Sequence, residues 1–235
     1  MPEAKSKSPK AAVPAPKPHD AGLMGSVNRI EQYYEHHSNL INGIGIGIVL
    51  VVAAFFAYSR LYKAPRERRA EDMVFMAQHY FERDSLNLAL NGDGNNYGFL
   101  RVIQRYGDTK VGQEAKYCAG VIYIREGEYQ KGIDLLKQFD AGDKIIQAEA
   151  YGLMGDAYMD LGKTAEGIDY YKKAGNYNNN DLIAPLYLLL EGIALEKAGK
   201  PADAIQVYKQ IKSQYPESLQ GREIDKYLAR LGVFQ

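Results

Sequence analysis

Apolar residues in the second half of this chain recur at helical spacing, and they do so three times in step. The stretches EAKYCAGVIYIREGEYQKGIDLLKQF from 114, EAYGLMGDAYMDLGKTAEGIDYYKKA from 149 and LYLLLEGIALEKAGKPADAIQVYKQI from 186 align without a gap. Glycines keep phase at Gly120, Gly155 and Gly192, and again at Gly127, Gly162 and Gly199, each set stepping by 35 and then 37 residues. The small residues Gly132, Gly167 and Ala204 share that phase, as do the large ones Leu136, Tyr171 and Tyr208. Each unit reads as helix, turn, helix. The first glycine sits mid-helix, where it costs about 1 kcal/mol against alanine. Close approach of the partner helix supplies the reason. The second glycine closes the first helix in the left-handed conformation, and the small residue of the second helix makes room for the first.

A further unit precedes these, starting at Ala70, with Ala77, Tyr80, Asp84 and Ala89 at the matching places. Its second half is longer by the length of NGDGNN, residues 91–96, so its second helix is interrupted and resumes near Tyr97. RYGDTKVG (105–112) mirrors QYPESLQG (214–221). The units fall near 70–112, 113–147, 148–184 and 185–217, and residues 218–231 make a polar capping helix, as an open stack requires.

These features resemble the tetratricopeptide repeat. That repeat has a small residue at its eighth place, tyrosine at its eleventh (Tyr123, Tyr158), glycine at its fifteenth, a small residue at its twentieth and an aromatic or leucine at its twenty-fourth. Pro216 takes the thirty-second place. Leu195 at the tyrosine place departs from the pattern, and so does glycine for alanine in two units. The resemblance implies an inner groove lined by the first helix of each unit. Carried over place by place, it names Phe75, Gln78 and Phe81, then Tyr117, Val121, Ile124 and Arg125, then Leu153, Asp156 and Met159, then Leu189 and Ile193. Glu71, Glu114, Cys118 and Glu149 share these inner places. Such a groove is aliphatic and aromatic with acidic edges, and suits an apolar, somewhat basic peptide or helix. The Leu186–Ile193 face is either groove or covered by the capping helix.

The first 70 residues follow a different pattern. Residues 1–22 are rich in Pro, Ala and Lys and cannot bury a core, so they read as disordered. Leu23, Val27, Ile30 and Tyr34 suit an amphipathic helix over 23–39 at a membrane surface. Residues 40–59 carry no charge, and the 19 residues 40–58 extend roughly 29 Å as a helix, enough to span a membrane. Gly43 and Gly47 form a GxxxG pair that offers a face for helix packing and self-association. A basic collar, 60–69, follows with Arg60, Lys63, Arg66, Arg68 and Arg69 against Glu67.

The formal net charge is zero, which argues against a nucleic-acid partner recruited by bulk charge. Residues 70–235 carry a net charge of −5. One cysteine excludes an internal disulfide framework and any multi-cysteine metal site. No catalytic set is found. Cys118 has no histidine near it in sequence, and His36 and His37 lack a ligand partner at helical spacing. NGDGNN resembles the start of a calcium loop, but Val102 stands at its twelfth place. The chain therefore reads as non-enzymatic, without metal or cofactor.

One membrane helix, then ERRAEDMVFMAQHYFERDSLNLALNGDGNNYGFL, then the repeats and QYPESLQGREIDKYLARL, together resemble the membrane-anchored tetratricopeptide proteins of Bacteroidetes-type bacteria, grouped with the YfgM-like ancillary subunits of the Sec translocon. The resemblance implies a single-pass inner-membrane scaffold with a periplasmic repeat domain that contacts translocon subunits, chaperones or other envelope proteins. The collar's charge favours the opposite orientation, but a long domain can cross regardless of flanking charge. The fold expected is all-α: a solenoid of about four helix pairs with a capping helix, preceded by one transmembrane helix. The alternative function is a self-assembling structural protein that organises an envelope complex.

Overall fold

The computed structural model describes residues 18–234. The chain divides into two units, residues 1–60 and 61–235. In the first unit lies helix α1, Pro18–Tyr58. It starts inside the stretch expected to be a disordered tail (1–22). A proline is admitted there because the N–H it lacks has no helical partner in the first turn. Residues 1–17 of that stretch lie outside the described residues. The helix breaks at His37, whose φ and ψ are −116° and 15°, two residues before the end of the expected amphipathic segment (23–39). Beyond the break, Ile44, Phe55 and Val51 are 56%, 68% and 71% exposed. Among the described residues one helix is long and apolar enough to cross a membrane, and its apolar stretch is this one. A Cβ added at Gly43 or Gly47 would meet nothing within 4 Å.

A π-helical turn, Ser59–Lys63, leads into α2, Ala64–Glu82. Then come α3, Leu86–Asn91, and α4, Phe99–Tyr106. The pairs α5, Lys110–Arg125, with α6, Tyr129–Lys137, and α7, Lys144–Asp160, with α8, Thr164–Tyr177, follow. Last are α9, Ala184–Lys197, α10, Pro201–Gln214, and α11, Leu219–Arg230. From α2 to α11 each helix packs on its neighbours in sequence, and α5 also touches α2 and α7. This is a solenoid of four helix pairs with α11 as its cap. Its apolar core falls into three clusters, centred on α2–α5, on α6–α7 and on α8–α11.

The glycine phase has a specific cause. A Cβ at Gly120 would stand 2.8 Å from Leu136, at Gly155 2.6 Å from the Tyr171 ring and at Gly192 2.2 Å from the Tyr208 ring. Each bare stretch of the first helix is thus a socket for the large residue 16 places on. A Cβ at Gly132 would lie 2.9 Å from the Gly120 carbonyl oxygen, so the backbones are close there too. Gly127, Gly162 and Gly199 take φ of 79°, 72° and 71° and end their helices, while Asp84 fills the same place in the first unit at φ 57°.

The mirrored sequences fold into the same corner twice. Thr109 Oγ1 accepts the Gly112 N–H at 3.0 Å and donates to the Tyr106 carbonyl at 2.7 Å. Ser218 Oγ accepts the Gly221 N–H at 2.9 Å and donates to the Tyr215 carbonyl at 2.7 Å. A Cβ at Gly112 or Gly221 would fall 1.9 Å from the carbonyl oxygen of Tyr106 or Tyr215. In NGDGNN, Asp93 Oδ1 accepts the N–H groups of Asn95 and Asn96 at 2.9 and 2.6 Å, and Oδ2 accepts the Tyr80 hydroxyl at 2.7 Å. The Asn96 N–H bond above all, then the Tyr80 hydroxyl, hold this carboxyl well below the usual carboxylate range. The insertion is a closed turn that uses its own acid.

The collar is divided in its roles. Arg66 donates to Asp108 at 2.6 Å and to the Arg105 carbonyl at 3.0 Å. Glu67 accepts the N–H groups of Val111 and Lys110 at 2.9 and 3.2 Å, satisfying orphan donors at the start of α5. Arg66 and Glu67 therefore belong structurally to the repeat domain.

Gly112→Ala and Gly221→Ala are each expected to destabilise the domain by about 2 kcal/mol or more, since a fixed carbonyl cannot yield to the new Cβ. Thr109→Ala, losing only the cap, is expected to cost about 1 kcal/mol. Gly43→Ala is expected to leave domain stability unchanged. Urea unfolding followed by circular dichroism checks the order.

Candidate functional site

The first helices of the units, α2, α5, α7 and α9, carry the residues that the repeat phase assigns to an inner groove. The structure distributes these residues unequally. Gln78 on α2 and Tyr117 on α5 line one cavity of about 810 Å³, together with Glu114, Cys118 and Glu149 from the same inner places. Phe75 stands out from α2 at 66% exposure. Val121 and Leu153 are half-buried.

Other assigned residues are drawn elsewhere. Phe81 packs edge-on against Phe99, ring centres 6.1 Å apart, in the first core cluster. Ile124 sits against Gly132 and Met159 against Gly167, each filling the space a glycine leaves. Arg125 is held by Asp84 at 2.6 Å. Asp156 accepts the Tyr171 hydroxyl at 2.6 Å, and burial pushes its carboxyl above the ordinary range. Leu189 packs on the C-terminal cluster, to which α11 contributes Ile224 and Leu228, and Ile193 is half-buried. Arg230 of α11 takes Glu196 at 2.6 Å. The cap thus claims the far end of α9, while Leu186 stays 37% exposed.

The cavity wall also uses residues that the repeat phase does not mark. Phe139, Asp140 and Ala141 come from the turn between α6 and α7, and Ile146 from the first turn of α7. The Phe139 ring lies 5.3 Å from that of Tyr117. Gln113 anchors this turn by accepting the Asp140 N–H at 3.0 Å. The DAGD run at 140–143 is the signal that was available. Asp143 caps α7, accepting the N–H groups of Ile145 and Ile146.

The charge of the cavity follows from which acids are already engaged. Asp108 is paired with Arg66 and Asp143 with the start of α7. Glu114, Glu149 and Asp140 face Lys110 without an ion pair among the described residues. Burial first, then Glu149, push the Tyr117 phenol up to about 12. Burial first, then Glu114, push the Cys118 thiol up to about 11. The site is an aromatic floor under a negative rim, and its one sulfur is a protonated thiol at neutral pH. Among the described residues no group of three or more His, Cys, Asp or Glu stands together to hold a metal.

Residues 148–181 and 187–218 each match a family model described as tetratricopeptide repeat. Lipopolysaccharide assembly protein B of Escherichia coli strain K12 is 26% identical over 93 residues, which is 40% of this chain and 23% of that protein. The chain thus matches about a quarter of the length of that relative. A putative kinesin light chain of Podosopora anserina with nearly identical repeats overlays with a TM-score of 0.50 at 14% identity, covering 69% of this chain and 84% of that one. The crystal structure of MamA overlays at 0.48 with 20% identity, over 75% and 90% of the two chains. Tetratricopeptide repeats mediate protein–protein interaction, and the kinesin light chain overlay shows the same fold.

In the native protein the Cys118 thiol is expected to react with Ellman's reagent at neutral pH roughly a hundred times slower than in the urea-unfolded chain. Glu114→Gln is expected to speed the native reaction, because removing the nearby acid lowers the thiol pKa. Stopped-flow absorbance measures both.

Proposed function

We propose that this protein is a non-enzymatic, membrane-anchored scaffold, and that the cavity over α2, α5 and α7 takes an extended, basic and apolar segment of a partner in envelope assembly. The observation that carries the reading is the charge state of that cavity. Asp108 is paired with Arg66, and Glu114, Glu149 and Asp140 outnumber Lys110 among the charged groups that line the cavity with Tyr117 and Phe139. A lysine or arginine flanked by apolar residues fits that surface, with the ring faces adding cation–π attraction of about 0.5–2 kcal/mol.

The envelope setting rests on the exposed apolar stretch of α1 as a membrane span, on the similarity to lipopolysaccharide assembly protein B and on the resemblance to YfgM-like translocon subunits. We place the repeat domain in the periplasm. Translocon subunits, secretion chaperones and lipopolysaccharide assembly proteins are the partners to seek there.

Two experiments test this reading. A periplasm-active reporter fused after Gln235 is expected to be active, and a cytoplasm-active one silent; the reverse pattern would refute the proposed orientation. In cross-linked pull-downs from solubilised membranes, Glu114→Lys with Glu149→Lys is expected to lose the wild-type partner at least roughly tenfold, as reversing two rim charges costs a few kcal/mol. A partner held equally by both forms would sink the groove assignment.

A further inference from the structure

The acids around the cavity over α2, α5 and α7 are distributed in a way that a single cation does not match. Asp108 is closed by Arg66. Glu114, Asp140, Asp143 and Glu149 remain, and among the described residues that line the cavity the only other basic one is Lys110. Asp143 keeps its charge while capping α7, where its carboxylate accepts two backbone N–H groups. The wall therefore carries an excess of three negative charges.

These carboxylates do not gather at one point. Glu114 comes from the start of α5, Asp140 and Asp143 from the turn between α6 and α7, and Glu149 from the second turn of α7. Among the described residues no three acids, histidines or cysteines stand together to hold a metal ion, whose ligands must all lie at about 2.0–2.6 Å from one centre. The same wall holds apolar surface. Phe139 is 7% exposed, its ring centre lies 5.3 Å from that of Tyr117, and Ala141 and Ile146 extend the patch. A single ammonium neutralises one carboxylate and leaves the rest of the excess in place. A chain with a cation at each end answers more of it, and the methylenes between bring apolar surface out of water.

We infer that the cavity takes a ligand with two ammonium or guanidinium groups joined by an apolar spacer, the cations at carboxylates on different elements and the spacer on the Tyr117 and Phe139 rings. This rests on the reading that the cavity receives a cationic segment, and it specifies the chemistry of that segment. The ligand is either two basic side chains of one polypeptide with an apolar residue between them, or a free alkyldiamine.

The test is calorimetric titration of the full chain in detergent. Hexamethylenediamine is expected to bind roughly tenfold more tightly than hexylamine, which keeps the apolar chain and loses one charge. An ether-spaced diamine of equal length, which keeps both charges, is expected to bind severalfold more weakly than hexamethylenediamine. Glu114→Gln with Glu149→Gln, its fold checked by circular dichroism, is expected to lose the preference for the diamine over hexylamine. The peptide acetyl-Lys-Leu-Lys-amide binding more tightly than hexamethylenediamine identifies a polypeptide source, and equal or weaker binding a free diamine. Hexylamine binding as tightly as the diamine, or a preference that the double variant keeps, overturns the proposal. If the preference is absent while charge reversal at Glu114 and Glu149 still releases the partner in pull-downs, the cationic-segment reading stands and only the two-cation ligand falls. If the partner is also held equally by both forms, both fall.

Discussion

The solenoid depends on one contact, made three times: a large side chain from the second helix of a unit seated on a stretch of first-helix backbone that carries no side chain. Leu136 on Gly120, Tyr171 on Gly155 and Tyr208 on Gly192 are its instances. A mid-helix glycine gives up about 1 kcal/mol. A buried tyrosine ring returns about 4–6 kcal/mol as an upper figure from its area, so the exchange favours the socket. The depth of the seat sets how near the two helices lie, and the shared phase lets successive pairs stack without readjustment.

The same contact reaches the inner face of the stack. The Tyr171 and Tyr208 rings pass beneath the first helix and present their hydroxyls to Asp156 and Glu196, at 2.6 and 2.5 Å. Asp156 occupies an inner place, so there the core decides where acidic charge stands. In the second unit the seat holds Leu136, which has no hydroxyl to give. The cavity lined by Glu114, Glu149, Tyr117 and Phe139 lies beside that unit. Core chemistry and site chemistry are two ends of the same side chains.

Much of this was legible in the sequence because the information is periodic. The glycine phase, the interruption at NGDGNN and the paired corners at 105–112 and 214–221 each appear as spacing before they appear as structure. Inner-face residues were less legible, since a place number gives direction but not competition. Phe81 was taken by Phe99, Ile124 and Met159 by empty glycine positions, and Arg125 by Asp84. The 138–143 turn escaped because it lies outside the aligned helices.

The division of the core into three clusters also shapes how the domain comes apart. No single nucleus holds all ten helices of residues 64–230 together. In a stack where each unit touches only its neighbours, stability is a sum of local and nearest-neighbour terms. Amide protons of α2–α4 and of α11 then exchange through partial openings at the two ends, while α7 and α8, covered on both sides, exchange through the largest opening. Unfolding of such a chain proceeds as erosion from its ends, with the middle pair as the last to dissolve.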